Sequence, residues 1–209
     1  MGQPGAGKTV TAVKLAAELA KRKKNVVLVF TDLTAPSLPA VAAEGKLPEV
    51  SVGDLLSAPG MTQERVLKTC VPCEKHPYIS FLGYKAGENV FTHAEYSKEK
   101  AVDMLVLLRH IADYVIVDCT SLLTGNVLAT TALEVADDVL RVCSCDLKPS
   151  PTSRPICRWL PTESSNRNST SRCCPTRALS GGSELRELLW RCEITGCRIF
   201  LRWRNRRRR

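Results

Sequence analysis

The sequence contains no run of 18 apolar residues, and no secretory signal pattern is visible at its beginning. A helix needs about 20 mostly apolar residues to cross a bilayer, so the sequence predicts no membrane span. No internal repeat is apparent, which argues against a repeat architecture. The 209 residues are enough for one α/β domain with a core of its own.

Lysine is missing from the last part of the chain. Residues 149–209 contain 14 arginines, four acidic residues and no lysine, whereas residues 1–148 contain 16 basic and 17 acidic residues. The formal charge of +9 therefore comes from the tail alone. The tail shows neither the helical nor the strand period. We expect a domain over residues 1–148 and an Arg-rich tail over residues 149–209 that is disordered or out of frame.

The first residues carry a phosphate-binding pattern. Residues 2–9, GQPGAGKT, match G-x-x-x-x-G-K-[ST] through Gly2, Gly7, Lys8 and Thr9. In this Walker A pattern, backbone amides cradle phosphate oxygens, the lysine reaches the outer phosphates, and the hydroxyl binds Mg²⁺. The predicted nucleotide-binding residues are Gly2, Gln3, Pro4, Gly5, Ala6, Gly7, Lys8, Thr9 and Val10.

The segment after this loop has the expected context. Residues 8–22 have helical periodicity, with an apolar face predicted at Val10, Val13, Ala16, Ala17 and Ala20. A helix beginning at the loop directs its positive dipole end toward an anion. Such a loop normally follows a buried strand, and Met1 stands where that strand would end. We expect the true start to lie upstream.

Helical and strand patterns alternate along residues 1–148. Helices are predicted at 8–22, 52–56, 63–69, 97–112 and 127–137, and strands at 26–30, 78–86, 114–118 and 137–144. A loop with two prolines is predicted at 31–40. Alternating strands and helices indicate a mostly parallel sheet with helices on both faces. The predicted fold is therefore an α/β P-loop NTPase, incomplete at both ends.

Two carboxylates follow predicted strands. Asp118 ends the apolar strand YVIVD, and Asp32 comes just after VVLVF. At the carboxyl edge of a parallel sheet, Asp118 can lie beside Mg²⁺ together with Thr9. Asp32 can orient water or contact Mg²⁺ indirectly. Asp32 and Lys8 are therefore the predicted catalytic residues. The alternative for Asp32 is capping of its own loop.

With these elements in place, the chain resembles the ParA/MinD family of partitioning and division-site ATPases. Two stretches carry the resemblance, residues 2–33 and residues 112–142. The second has an Asp-ended strand, a loop, a helix with small residues, and an A-D-x-V turn into the next strand. The resemblance covers most of residues 1–148 and none of the tail.

The family pattern is not matched everywhere. Gln3 stands where the family usually has a second lysine that reaches the nucleotide of a dimer partner. Thr34 stands where a second aspartate is common, and Cys119 stands where proline is common.

The resemblance implies an ATP- and Mg²⁺-dependent ATPase switch in the cytoplasm. Its implied partners are the nucleotide, a second copy of the chain, and a partner protein or nonspecific DNA. Two alternatives stay open, a basic nucleic-acid-binding protein that uses the Arg-rich tail, and a non-functional fragment. Adenine recognition rests on the resemblance alone.

Loss of one base after the Lys148 codon would explain the tail. GAG- and GAA-type codons, translated out of frame, give arginine without lysine. Under this hypothesis the tail's arginines, five cysteines and three tryptophans have no evolved function.

The ten cysteines predict reduced thiols in a nucleotide-binding chain, and not a disulfide framework. Cys70 and Cys73 have the spacing of metal ligands, with His76 nearby. Zinc requires four ligands, and we expect no zinc site here.

Overall fold

A computed structural model describes residues 7–42 and 47–143, together with two strands at 172–175 and 201–204. The described helices are α1 (Lys8–Lys21), α2 (Leu38–Val41), α3 (Val52–Ser57), α4 (Gln63–Thr69), α5 (Lys98–Ile111) and α6 (Val127–Val135). The described strands are β1 (Val26–Phe30), β2 (Val71–Pro72), β3 (Ile79–Leu82), β4 (Tyr114–Asp118), β5 (Asp138–Cys143), β6 (Arg172–Pro175) and β7 (Leu201–Arg204). In these ranges, no helix has the length and apolar character that a membrane crossing needs.

The strands form one sheet in the order β2-β3-β1-β4-β7-β5-β6. The central strand β1 pairs in parallel with β3 on one side and along its whole length with β4 on the other. Strand β7 is antiparallel to both β4 and β5, so β4 and β5 run in the same direction. The sheet is therefore mostly parallel with helices packed on it, as the sequence predicts.

The core lies on both faces of the sheet because successive side chains of a strand point to opposite sides. On one face, Val27 and Val29 of β1 pack in a cluster with side chains from α3 to α6. On the other face, Val26, Leu28 and Phe30 pack with α1 and α2. All five residues of β1 are buried, which explains its continuously apolar sequence.

Local sequence signals set the helix boundaries. Ser51 and Asp54 form a reciprocal capping box at the start of α3, and Thr62 caps α4 by accepting a hydrogen bond from the Arg65 amide. Asn126 caps α6 through the Ala129 amide. Helix α1 begins directly after Gly7, whose φ of 78° lies in the left-handed region that glycine adopts without strain.

Three local predictions differ from the structure. Val10, predicted on the apolar face of α1, is 59% exposed, because the buried side of the helix is centred on Ala12, Leu15 and Ala16. The strand predicted at 78–86 ends at Leu82. The loop predicted at 31–40 contains the start of α2, where Pro39 lies in the first helical turn and is tolerated there.

A histidine in the segment between β3 and α5 packs closely against helix α3. His93 Nδ1 lies 3.5 Å from Asp54 Oδ1, and His93 Nε2 lies 3.3 Å from Glu88 Oε1. The ring packs directly over Gly53, where an added Cβ would lie 2.2 Å from His93 Cδ2. Gly53 is therefore required by close packing at this helix.

Substitution Gly53→Ala should destabilise the protein, although alanine is the better helix former. The new methyl group would displace the His93 ring, and overpacking of this kind costs about 1–3 kcal/mol of unfolding free energy. Urea denaturation measures the change. Gly60→Ala is the matched control, because no atom lies within 4 Å of a Cβ built at Gly60. Equal stability of the two variants would contradict this packing.

Candidate functional site

The candidate site lies where β1 and β4 end and α1 begins. Lys8 and Thr9 form the first turn of α1, and Asp118 is the last residue of β4. Asp32 follows β1 by two residues. The first turn of a helix leaves amide groups without partners inside the helix, and these groups favour anions. The fold thus brings together Lys8, Thr9, Asp32 and Asp118.

Thr9 and Asp118 are joined directly. The Thr9 hydroxyl donates to Asp118 Oδ2 at 2.5 Å, across 109 residues of sequence. Burial raises the pKa of Asp118 above its usual 3.8, while the Thr9 hydrogen bond and the Lys8 charge oppose that shift. The pair places one hydroxyl and one carboxylate at the same point of the sheet edge.

The Lys8 side chain extends across the site, and its ammonium group is partly buried. Its Nζ donates to Ser121 Oγ at 2.5 Å, in the loop after β4. Burial lowers the pKa of Lys8, and the negative charges of Asp118 and Asp32 act in the opposite direction. The ammonium therefore lies within the electrostatic influence of both carboxylates.

Asp32 is held by its own loop. Its Oδ1 accepts hydrogen bonds from the backbone amides of Thr34 and Ala35, both at 3.0 Å. This is the loop-capping arrangement that the sequence offered as the alternative for Asp32. The catalytic role of Asp32 stays a prediction, with the carboxylate fixed near Lys8.

The donor set fits Mg²⁺ in its chemistry. Mg²⁺ prefers oxygen ligands and is typically bound by one or two carboxylates together with water and substrate phosphates. Thr9 and Asp118 supply a hydroxyl and a carboxylate oxygen within hydrogen-bond distance of each other. Clusters of three or more His, Cys, Asp or Glu suited to a metal ion are absent from the described residues, and these include Cys70, Cys73 and His76.

Sequence reasoning missed a polar network behind the site. The Thr31 hydroxyl donates to the Asp118 carbonyl and accepts from the Thr120 amide, both at 3.0 Å. The Asn126 side-chain amide donates to the Thr31 carbonyl at 2.6 Å. Asn126 is visible in the sequence as a helix cap before VLATTALEV, but its long-range contact is not.

Several predicted residues lie outside the described part of the chain. These are Gly2, Gln3, Pro4, Gly5 and Ala6. Val10 is described and lies exposed in the first turn of α1. Most of the Arg-rich tail also lies outside the described residues, apart from the strands at 172–175 and 201–204.

Known proteins share the sequence pattern and the fold of this chain. A family model described as an AAA domain matches residues 2–149. The cell division ATPase MinD of Pyrococcus furiosus has a similar structure, with 21% identity and a TM-score of 0.59, covering 74% of this chain and 61% of that chain. Curated protein sequences gave no match.

Two further solved structures are similar. The septum site-determining protein MinD of Pyrococcus horikoshii OT3, complexed with Mg-ADP, is 18% identical with a TM-score of 0.58, covering 76% of this chain and 63% of that chain. Cobyrinic acid a,c-diamide synthase from Mycobacterium smegmatis, with a bound ATP analog and magnesium, is 20% identical with a TM-score of 0.58, covering 90% of this chain and 76% of that chain. This chain thus spans less than two thirds of either MinD structure.

The fold is that of the P-loop NTPases, a mostly parallel sheet flanked by helices. Because the AAA-domain model matches well over half of the sequence, the chain belongs to that family. It shares its fold with the two MinD structures.

Cys119 should be protected from alkylation in the folded protein. Burial raises the pKa of its thiol to about 11, so about one molecule in a thousand would carry the reactive thiolate at pH 8. Mass spectrometry of peptides after iodoacetamide treatment measures the labelling of each cysteine. We expect labelling of Cys119 only after denaturation, with the half-buried Cys73 labelled in the native state. Equal native labelling of the two would contradict the burial of Cys119 directly after β4.

Proposed function

We propose that the protein binds Mg²⁺ and ATP at the junction of α1, β1 and β4, and acts as a nucleotide-dependent ATPase switch. The observation that carries the proposal is the contact of Thr9 with Asp118, which joins the start of α1 to the end of β4. Lys8 lies in the same turn with its ammonium beside these groups. A hydroxyl, a carboxylate and a cation together suit a metal–polyphosphate ligand.

Lys8 would bind the outer phosphates of the nucleotide. Its ammonium now contacts the Ser121 hydroxyl, a neutral partner that phosphate oxygens would replace with a stronger charge-assisted bond. The amides at the start of α1 would add further donors to the phosphates. The predicted loop residues Gly2 to Gly7 would complete this cradle.

Thr9 and Asp118 would hold Mg²⁺, which when bound neutralises phosphate charge and favours phosphoryl transfer. Asp32 would orient the attacking water through its carboxylate, with its position fixed by the amides of Thr34 and Ala35. The MinD and cobyrinic acid synthase structures are named with magnesium and a bound nucleotide or ATP analog, which supports binding of a magnesium nucleotide by this fold.

The switch would act through other molecules. We propose a homodimer formed in the nucleotide-bound state, and a partner protein or nonspecific DNA as its target, by analogy with the ParA/MinD type. The free thiols of Cys70, Cys73 and Cys119 support a reducing, cytoplasmic environment. No described residue favours the nucleic-acid hypothesis based on the Arg-rich tail.

Substitution Lys8→Ala should weaken ATP binding in the presence of Mg²⁺ by roughly ten- to a hundredfold, as expected for loss of a hydrogen bond between charged groups. Isothermal titration calorimetry measures the dissociation constant. Lys14→Ala is the matched control, because Lys14 is exposed on the same helix six residues further on. Unchanged affinity in the Lys8 variant would refute the proposed phosphate contact.

Substitution Thr9→Val should remove the dependence of nucleotide affinity on Mg²⁺, because valine has the shape of threonine without its oxygen. Thr9→Ser keeps the hydroxyl and should retain the dependence. Calorimetric titrations with ATP in Mg²⁺ and in EDTA give the ratio of affinities, which we expect to fall toward one only in the valine variant. A valine variant with the wild-type ratio would exclude Thr9 from the metal site.

A further inference from the structure

We infer that Asn126 is a positioning residue, which fixes the loops carrying Asp32 and Asp118 relative to helix α6. The inference rests on the proposed function, because it concerns the two carboxylates of that site. Asn126 lies in the loop after β4, eight residues beyond Asp118, and was not predicted from the sequence as a site residue. Its role follows from two hydrogen bonds made by one side chain.

Both polar atoms of the Asn126 side chain form hydrogen bonds. Its Oδ1 accepts from the Ala129 amide at 2.9 Å and caps helix α6. Its Nδ2 donates to the Thr31 carbonyl at 2.6 Å, across 95 residues of sequence. The two partners fix the orientation of the side chain, since a backbone amide only donates and a carbonyl only accepts. Serine or aspartate could cap the helix, but neither has a side chain of this length that ends in a donor for the Thr31 carbonyl.

Thr31 connects Asn126 to the end of β4 and to the loop of Asp32. It is fully buried, and its backbone amide and hydroxyl both donate to the Asp118 carbonyl, at 3.1 and 3.0 Å. The same hydroxyl accepts from the Thr120 amide. Asp32 is the next residue along the chain. A single buried residue therefore joins the end of β4 to the loop of Asp32, and Asn126 joins that residue to α6.

The helix behind Asn126 is itself anchored. The Leu128 amide in the first turn of α6 donates to the Tyr96 hydroxyl at 3.3 Å, and Leu128 is fully buried. Lys98 at the start of α5 forms an ion pair with Glu134 near the end of α6. Asn126 thus connects the Asp32 loop to a helix held at both ends, which would limit movement of that loop.

The capping and linking functions of Asn126 can be separated by substitution. Asn126→Ser and Asn126→Asp keep an oxygen for the Ala129 amide, and both residue types are good helix caps. Both lose the donor to the Thr31 carbonyl. Asn126→Ala loses both contacts. Thr62→Ala serves as a control for cap loss alone, because Thr62 caps α4 away from the site.

The first readout is amide hydrogen exchange of Thr34 and Ala35 in the full chain without nucleotide. We expect exchange to rise roughly tenfold in all three Asn126 variants, since loss of the link permits local opening of the Asp32 loop. Thr62→Ala should leave these two amides unchanged. Wild-type exchange in both Asn126→Ser and Asn126→Asp would overturn the inference, and this test does not depend on any catalytic activity.

The second readout is steady-state ATP hydrolysis with Mg²⁺. We expect kcat to fall roughly tenfold in Asn126→Ser, because misplacement of a water-orienting group slows the chemical step. The dissociation constant for Mg-ADP should stay within about threefold, because Lys8 and Thr9 are untouched. Asn126→Ser with wild-type kcat would overturn the role in catalysis. A wild-type chain that fails to bind Mg-ATP would refute the proposed function, while the exchange result would still decide the link.

Discussion

The hydrogen bond between Thr9 and Asp118 is the contact on which the rest of the site depends. It joins the first turn of α1 to the last residue of β4, and so fixes where the positive end of the helix dipole meets the sheet edge. Asp118 is buried, and a carboxylate removed from water needs hydrogen-bond donors and positive charge nearby to stabilise its ionised form. Thr9 supplies a donor and Lys8 a positive charge, and a bound Mg²⁺ would add further positive charge.

The sheet explains why these groups meet. Strand β1 and strand β4 are parallel neighbours in full register, from Val26 beside Tyr114 to Phe30 beside Asp118. Their carboxyl ends therefore lie together, and the loops that follow them carry Asp32 and Ser121. Thr31 then joins the two loops through buried hydrogen bonds. The register of the two strands therefore brings these residues together, and their side chains then supply the chemistry of the site.

Much of this architecture was predictable from local patterns. The continuous apolar runs of β1 and β4 indicated buried parallel strands, and the Lys8–Thr9 pair followed by a helical period located α1. The exposure of Val10 was not predictable, because α1 has small apolar residues on several sides and the packing against β1 decides which are buried. Thr31 and Asn126 escaped prediction for a related reason. Each makes its decisive contact with a residue more than 80 positions away, which neither spacing nor composition reveals.

The central claim is that Thr9 and Asp118 form a metal site that is completed by a nucleotide. Electron paramagnetic resonance of Mn²⁺, used in place of Mg²⁺, tests it most directly in the full chain. The account predicts that ADP converts the signal of free Mn²⁺ into that of protein-bound Mn²⁺, and that Asp118→Asn weakens this conversion. A spectrum that is the same with and without the protein, at saturating ADP, would contradict it.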